Sequence, residues 1–194
     1  FDKSAEVYNS LFKFGFGFIE VGTVTPKRQL GNPKPRIFRL EKDQALINRL
    51  GFNNDGSEII SKRIADNQPN GFLGINIGPN KETKNKEEDY YKCLSMLSRY
   101  AGYMTINISS PNTEGLRNFH AEKEMSKLLI GLNKIKKNKN INQPIAIKLS
   151  PDINNEKISM IIELVNKNNI QGIIVSNTTD SNRENLSDTK RNEV

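Results

Sequence analysis

An α/β fold built on a parallel sheet, open or closed into a barrel, is predicted by three features of the sequence. Short apolar runs alternate with amphipathic stretches along the whole chain. Those runs are rich in Ile, Val or Phe and are bounded by Gly, Pro, Ser or Asn, which marks them as strands. Their near-continuous apolar character is what a parallel strand covered on both faces requires. Strand–helix alternation with right-handed crossovers leaves few other topologies.

In chain order, the first helix is expected over residues 5–14, with Ser4 as N-cap and Val7, Leu11 and Phe14 on one face. A strand follows at 17–22. Residues 23–54, with Pro26, Pro33 and Pro35, form the longest irregular segment, of a length that is usually functional or disordered. A helix over 55–65 carries Ile59, Ile60 and Ile64, and leads to a strand at 72–77. The helix over 86–100 carries Tyr90, Leu94 and Leu97, before a strand at 103–108. Met125, Leu128, Leu129 and Leu132 mark a helix over 121–135, followed by a strand at 145–149. The last pair is a helix over 155–166, with Ile158, Ile161, Ile162 and Val165, and a strand at 172–175.

Composition narrows the function. The chain has 194 residues and a net charge of +7, but its lysines are mostly scattered among asparagines. The one dense run, Lys134, Lys136, Lys137 and Lys139, reads as the solvated end of a helix, where cations suit the dipole. No clustered basic face with aromatic platforms marks a nucleic-acid binder. The single cysteine, Cys93, excludes an intrachain disulfide and reads as a buried thiol. No Cys or His pair stands at metal-ligand spacing, so no metal site is expected. His120 reads as a solvated residue near a helix start. Gly15-Phe-Gly17 lacks the third glycine and the strand-before-helix context of a dinucleotide fingerprint. No apolar run is long enough to span a membrane.

The chemistry gathers at the strand ends. Thr23, Asn76, Lys148, Asn107 to Ser110 and Ser176 to Thr178 each end or follow an apolar strand, where packing alone gives them no role. In a (β/α)8 barrel the C-terminal strand ends build the active site. The densest stretch is Asn107-Ile-Ser-Ser-Pro-Asn-Thr-Glu-Gly-Leu-Arg117. Its amides offer donors and acceptors together, which suits a ring of alternating N–H and C=O groups; the same residue types also make ordinary polar turns.

That stretch is very similar to the active-site loop of dihydroorotate dehydrogenases, and Ser110 stands where the quinone-linked class has its serine base and the soluble class a cysteine. Other blocks resemble the family in order and spacing: Phe1-Asp-Lys3, residues 15–27, 31–40 and 48–53, Asn76-Ile-Gly-Pro-Asn-Lys81, Lys148-Leu-Ser-Pro-Asp152 and Ser176-Asn-Thr-Thr179. The resemblance implies a partial (β/α)8 barrel, with strands roughly two to six of eight in a single FMN/dihydroorotate domain over 1–194. It makes 23–54 a long active-site insertion. It implies oxidation of dihydroorotate to orotate with FMN and a membrane quinone. Ser110 would be the base, with Thr113 and Phe52 shaping the proton route. Lys3, Asn48, Asn107, Asn112, Asn177 and Thr178 match substrate-binding positions. Thr23, Asn76, Asn107, Lys148 and Ser176 match flavin-binding positions, and Arg36 and Arg39 lie at the quinone site.

By the same resemblance, a membrane-associating segment before residue 1 and two later strands, whose Gly-rich turns hold the FMN phosphate, are absent. Residues 1–194 alone are therefore expected to bind FMN weakly. Two alternatives to this reading stay open: a soluble-class flavin barrel acting on pyrimidines, and an inactive truncated fragment. The resemblance implies peripheral association with a membrane, the bacterial cytoplasmic or the mitochondrial inner one.

Overall fold

The computed structural model describes residues 2–113 and 115–192. Phe1, the first residue of the Phe1-Asp-Lys3 block, lies outside them, as do Glu114 of the polar loop and the last two residues. The elements run α1 (Tyr8–Phe12), β1 (Phe18–Val24), β2 (Ile37–Leu40), β3 (Ala45–Asn48), α2 (Ser57–Asp66), β4 (Phe72–Ile77), α3 (Lys86–Leu97), β5 (Tyr103–Asn107), α4 (Glu122–Lys139), β6 (Ile145–Lys148), α5 (Asn155–Lys167) and β7 (Gly172–Ile174). Single 3-10 turns lie at Ser98–Tyr100, Leu116–His120, Arg183–Asn185 and Thr189–Asn192.

β1, β4, β5, β6 and β7 form one parallel sheet in that spatial order. Order in space follows order in the chain, the singly wound arrangement; a doubly wound sheet would reverse at a switch point. The crossover helices line up accordingly, α2 on α3, α3 on α4 and α4 on α5.

Side chains alternate across each strand. Leu73, Ile75, Ile77, Met104, Ile106, Ile145 and Ile147 join Tyr90, Leu94, Met125, Leu128 and Leu132 in one buried cluster between sheet and helices. Burying each large apolar side chain is worth roughly 1.5–3 kcal/mol, so this cluster holds the strands in register. The alternate positions carry Glu20, Asn76, Thr105, Asn107 and Lys148 on the other face, with Phe18, Phe72 and Tyr103 towards the strand starts. Gly74 makes room there: a Cβ on it would lie 2.3 Å from the Tyr103 ring, which stacks on Phe72 at 5.8 Å between centroids.

Several expectations are corrected. Residues 23–54 are not wholly irregular, since β2 and β3 pair as an antiparallel hairpin. Its four-residue strands were too short for their alternation to stand out, yet they bury Phe38, Leu40 and Ile47 in a small cluster of their own, with Leu186 against it. The first helix shrinks to Tyr8–Phe12, with Val7 and not Ser4 at its N-cap and no side chain capping it; Asp2 accepts from the N–H groups of Glu6 and Val7 in the turn before it. Ser4 Oγ instead accepts from Asp55 N. Tyr8 is the buried residue of this helix, while Val7 and Phe14 are exposed. Ile59, Ile158 and Ile162 also face outward, although Ile60, Ile64, Ile161 and Val165 are buried as expected.

Candidate active site

The sheet's register puts its polar residues side by side. Asn76 pairs with Thr105, and Asn107 with Lys148, whose other neighbour is Ile174. In a parallel sheet register partners project to the same face, so the strand ends deliver a row of amides, hydroxyls and one ammonium to one mouth.

Hydrogen bonds join that row into a single chain. Asn177 Nδ2 donates to Ser109 Oγ at 3.1 Å, and Ser109 Oγ to Asn107 Oδ1 at 2.7 Å. Asn107 Nδ2 donates to Thr23 Oγ1 at 3.0 Å, and Thr23 Oγ1 to Asn76 Oδ1 at 2.7 Å. Asn76 Nδ2 then donates to Glu20 Oε1 at 2.9 Å. The Glu20 carboxylate also takes the hydroxyls of Thr105, at 2.6 Å, and Tyr103, at 3.0 Å, both through Oε2. The direction is fixed at both ends. A backbone N–H can only donate, and Ser109 N donates to Asn107 Oδ1 at 3.1 Å. A carboxylate can only accept, and Glu20 closes the other end.

A cavity of about 740 Å³ opens on this chain. Lys3, Thr23, Asn48, Phe52, Asn76, Asn107, Ser110, Asn112, Lys148, Asn177 and Thr178 line it. Asn107, Ser110 and Thr23 are buried. Ser110 Oγ accepts from Asn112 N, and Asn112 Nδ2 reaches the Asn48 carbonyl of the hairpin. Phe52 holds a positive φ of 52° beside Gly78, whose Cβ position would meet both Phe52 and Thr23. Burial lowers the Lys3 pKa; Lys148 lowers it further and Glu20 partly restores it. Lys3 and Lys148 thus share one partly desolvated region of the pocket with the Glu20 carboxylate beside them, a setting that attracts an anion.

Not every residue singled out from the sequence lines the cavity. Thr113 is buried behind the loop, and Ser176 Oγ is engaged with the Asn177 carbonyl. Arg36 donates to the carbonyls of Leu30 and Asn32, so its guanidinium braces the insertion. Arg39 is exposed on β2, opposite Leu46 in register. His120 is corrected from solvated to buried: it closes the 3-10 turn behind the polar loop. Its Nε2 has no hydrogen-bond partner among the described residues. Burial, with Arg117 and Lys157 nearby, lowers its pKa to about 4. Cys93 is buried, its thiol pushed up by that burial.

Sequence reasoning missed Glu20 and the anchors of the segment after β7, and it gave Ser109 no role of its own. Glu20 looked like one polar residue inside an apolar run; only the register reveals its role. Asp152 accepts from Thr179 Oγ1 at 2.6 Å and Ser181 Oγ at 2.9 Å, and pairs with Arg117, which also holds Asp180. Further along, Asp43 at the hairpin turn accepts from Ser187 N, Ser187 Oγ and Asp188 N. These contacts draw the segment from Thr179 to Leu186 across the cavity, which it helps to line. Among the described residues no cluster of three or more His, Cys, Asp or Glu is placed to hold a metal ion, and no helix is long and apolar enough to cross a membrane.

A singly wound parallel sheet whose strand ends feed a polar, cation-bearing pocket defines a barrel-type α/β enzyme scaffold. A family model for dihydroorotate dehydrogenase matches residues 1–193, and the chain belongs to that family. It is 45% identical to a dihydroorotate dehydrogenase (quinone) of Bartonella henselae, over 100% of this chain and 54% of that one. It is 46% identical to the protein of the same name from Christiangramia forsetii, over 100% of this chain and 57% of the relative. The crystal structure of DHODH from Eimeria tenella in complex with ferulenol superimposes with a TM-score of 0.91 at 35% identity, covering 98% of this chain and 57% of that one. The fold is therefore a partial (β/α)8 barrel, and the chain spans about half the length of the curated relatives it matches.

Proposed function

We propose that the protein carrying these residues oxidises dihydroorotate to orotate, with FMN as its cofactor and a quinone as final acceptor, a step of pyrimidine biosynthesis. The observation that carries the reading is the oriented amide chain. Asn76 and Asn107 each spend one N–H and the amide oxygen within it, and Asn177 spends one N–H there and its oxygen on the N–H of Thr178. Among the described residues each keeps a second N–H, and all three line the cavity. With Lys3 and Lys148, this surface is rich in donors and suits ligands rich in carbonyl oxygens and carboxylate.

The same donor set fits a flavin, whose ring presents carbonyl oxygens and unprotonated nitrogens along one edge. Thr23, Asn76, Asn107, Lys148 and Ser176 would hold it, and the cation of Lys148 would favour negative charge on its reduced ring. When bound, FMN would supply the acceptor for the hydride leaving C6 of dihydroorotate. Ser110 Oγ takes the C5 proton, so that the C5–C6 bond becomes the double bond of orotate. A serine hydroxyl is a poor base at its own pKa and must pass that proton on; Thr113 and Phe52 shape the route. Asn48, Asn107, Asn112, Asn177 and Thr178 grip the pyrimidine ring, and Lys3 takes its carboxylate.

Quinone would approach at the hairpin. Arg39 and its register partner Leu46 are exposed there, near exposed Ile37 and Leu30. A cation on an apolar surface suits a lipophilic molecule with carbonyl oxygens. Lipophilic quinones place the enzyme at a membrane, the bacterial cytoplasmic or the mitochondrial inner one, as a peripheral protein. The test is anaerobic mixing of the flavin-loaded natural polypeptide with dihydroorotate. Bleaching of the flavin, followed by reoxidation with a ubiquinone analogue, is expected. No bleaching would end the reading, and reoxidation by fumarate or NAD instead of quinone would move it to the soluble class.

A further inference from the structure

We propose that Glu20 is a positioning residue: its carboxylate, as a hydrogen-bond acceptor, orients the Asn76 amide and through it the Thr23 hydroxyl toward the flavin. The inference rests on the flavin reading above and extends it to a residue that sequence reasoning passed over.

The amide chain is anchored twice. At the far end the backbone N–H of Ser109 holds Asn107 with its oxygen inward. At the near end, among the described residues, no backbone group holds the Asn76 side chain; its orientation depends on Glu20 Oε1, at 2.9 Å, and on Thr23. Thr23 is free to rotate its hydroxyl, so it follows whichever atom Asn76 presents. With an acceptor at position 20, Asn76 turns its nitrogen to β1 and its oxygen to Thr23. The second N–H of Asn76 and a lone pair of Thr23 are then the groups left for a ligand. Without that acceptor the amide can turn over, and a donor becomes an acceptor at the same point.

Glu20 is itself held firmly. Thr105 and Tyr103, on the next strand but one, donate to its other oxygen, and Tyr103 is stacked on Phe72. The glutamate therefore spans β1, β4 and β5 at the base of the cavity it lines. A competing role is charge: Glu20 lies near enough to Lys3 to raise its pKa. The two roles separate by substitution, because glutamine keeps an acceptor oxygen of the same reach and can donate its nitrogen to the Thr105 or Tyr103 oxygen, whereas methionine keeps only the shape.

The experiment measures FMN dissociation constants and the flavin absorption spectrum for the natural polypeptide and its Glu20→Met and Glu20→Gln variants, with thermal melts alongside. Glu20→Met is expected to bind FMN about tenfold more weakly, the loss of one oriented hydrogen bond, and to shift the flavin bands. Glu20→Gln is expected to stay within about threefold of the parent with unshifted bands. A folded Glu20→Met with parental affinity and spectrum overturns the proposal. A Glu20→Gln as impaired as Glu20→Met also overturns it, in favour of charge, and this arm remains readable if the methionine variant does not fold. If the parent itself takes up no FMN, the flavin reading fails, and the positioning role falls with it.

Discussion

The Asn107 amide donates to the Thr23 hydroxyl over 3.0 Å, although 84 positions separate the two in the chain. The contact ties β5 to β1 across the intervening β4, and Asn107 Oδ1 serves Ser109 twice on its other side. Asn107→Leu keeps the volume but strands the Ser109 N–H and hydroxyl without their acceptor. Each unmet buried group costs about 1–3 kcal/mol, so a loss of at least about 2 kcal/mol is expected in urea denaturation, together with loss of orotate binding. A variant as stable as the parent would show that the chain of amides is not buried from water as it stands here.

Ser110 is buried, with its oxygen accepting from Asn112 N and its loop pinned behind by Arg117. Ser110→Ala in the flavin-loaded natural polypeptide is expected to slow flavin reduction by dihydroorotate about 10²–10⁴-fold without releasing the flavin. Ser110→Cys should recover part of the rate, since a thiolate is the more accessible base near neutral pH. Stopped-flow bleaching reads both; an undiminished rate in the alanine variant would remove Ser110 from the proton step.

The strands were legible as short apolar runs bounded by Gly, Pro, Ser or Asn, and most helices because their apolar residues repeat at three to four positions; Phe72–Ile77 was placed to the residue. What stayed hidden depended on distant partners. Ser4 does not cap the first helix, because its hydroxyl serves the N–H of Asp55, 51 residues away. The hairpin over Ile37–Leu40 and Ala45–Asn48 builds its small core from Phe38, Leu40 and Ile47, with distant Leu186 packed against it. His120 looked solvated because it stands just before a helix start, whereas the turn that carries it buries it together with Phe119 and Leu116. In the candidate site, residues at strand ends were visible one by one, but Glu20 and Ser109 matter only through bonds to side chains on other strands.

Asp152 gathers the loops after β5, β6 and β7 through Arg117, Thr179 and Ser181. Burial works to raise its carboxyl, and the hydrogen bonds from Asp180, Thr179 and Ser181 outweigh it, holding the group well below its ordinary value. Asp152→Ala should therefore free the segment that crosses the cavity while leaving the sheet intact. The expected result is faster hydrogen exchange over residues 178–186 with little change over β4 and β5. Equal protection in both proteins would show that Leu186 and Asp43 hold the segment by themselves.

Gly74 sits in β4 where any side chain must enter the Tyr103 ring, 2.3 Å from its Cβ position. That ring cannot swing aside cheaply, because Phe72 stacks on it and its hydroxyl is bound to Glu20. Overpacking of this kind costs about 1–3 kcal/mol. Gly74→Ala is expected to lower the melting temperature, and Gly74→Ala with Tyr103→Leu to recover most of it. No recovery in the double variant would place the strain in the backbone rather than at the ring.

His120 links stability to pH. Its pKa is lowered to about 4, chiefly by burial and then by Arg117 and Lys157, against an ordinary 6.5. The folded protein therefore keeps it neutral where the unfolded chain already binds a proton. The stabilisation is complete above about pH 6.5 and falls with pH through the window down to about 4, where the loss levels off because both states are then protonated. Within that window each pH unit costs about 1.4 kcal/mol from this one group. His120→Gln removes the titration while leaving a neutral polar side chain. At pH 7.5 the variant should be the less stable, since its fit in the pocket is poorer. At pH 4.5 the gap should close or invert by about 1–3 kcal/mol. Denaturant midpoints of the two proteins at both pH values measure this directly, and a gap that does not change with pH would mean that His120 is protonated in the fold.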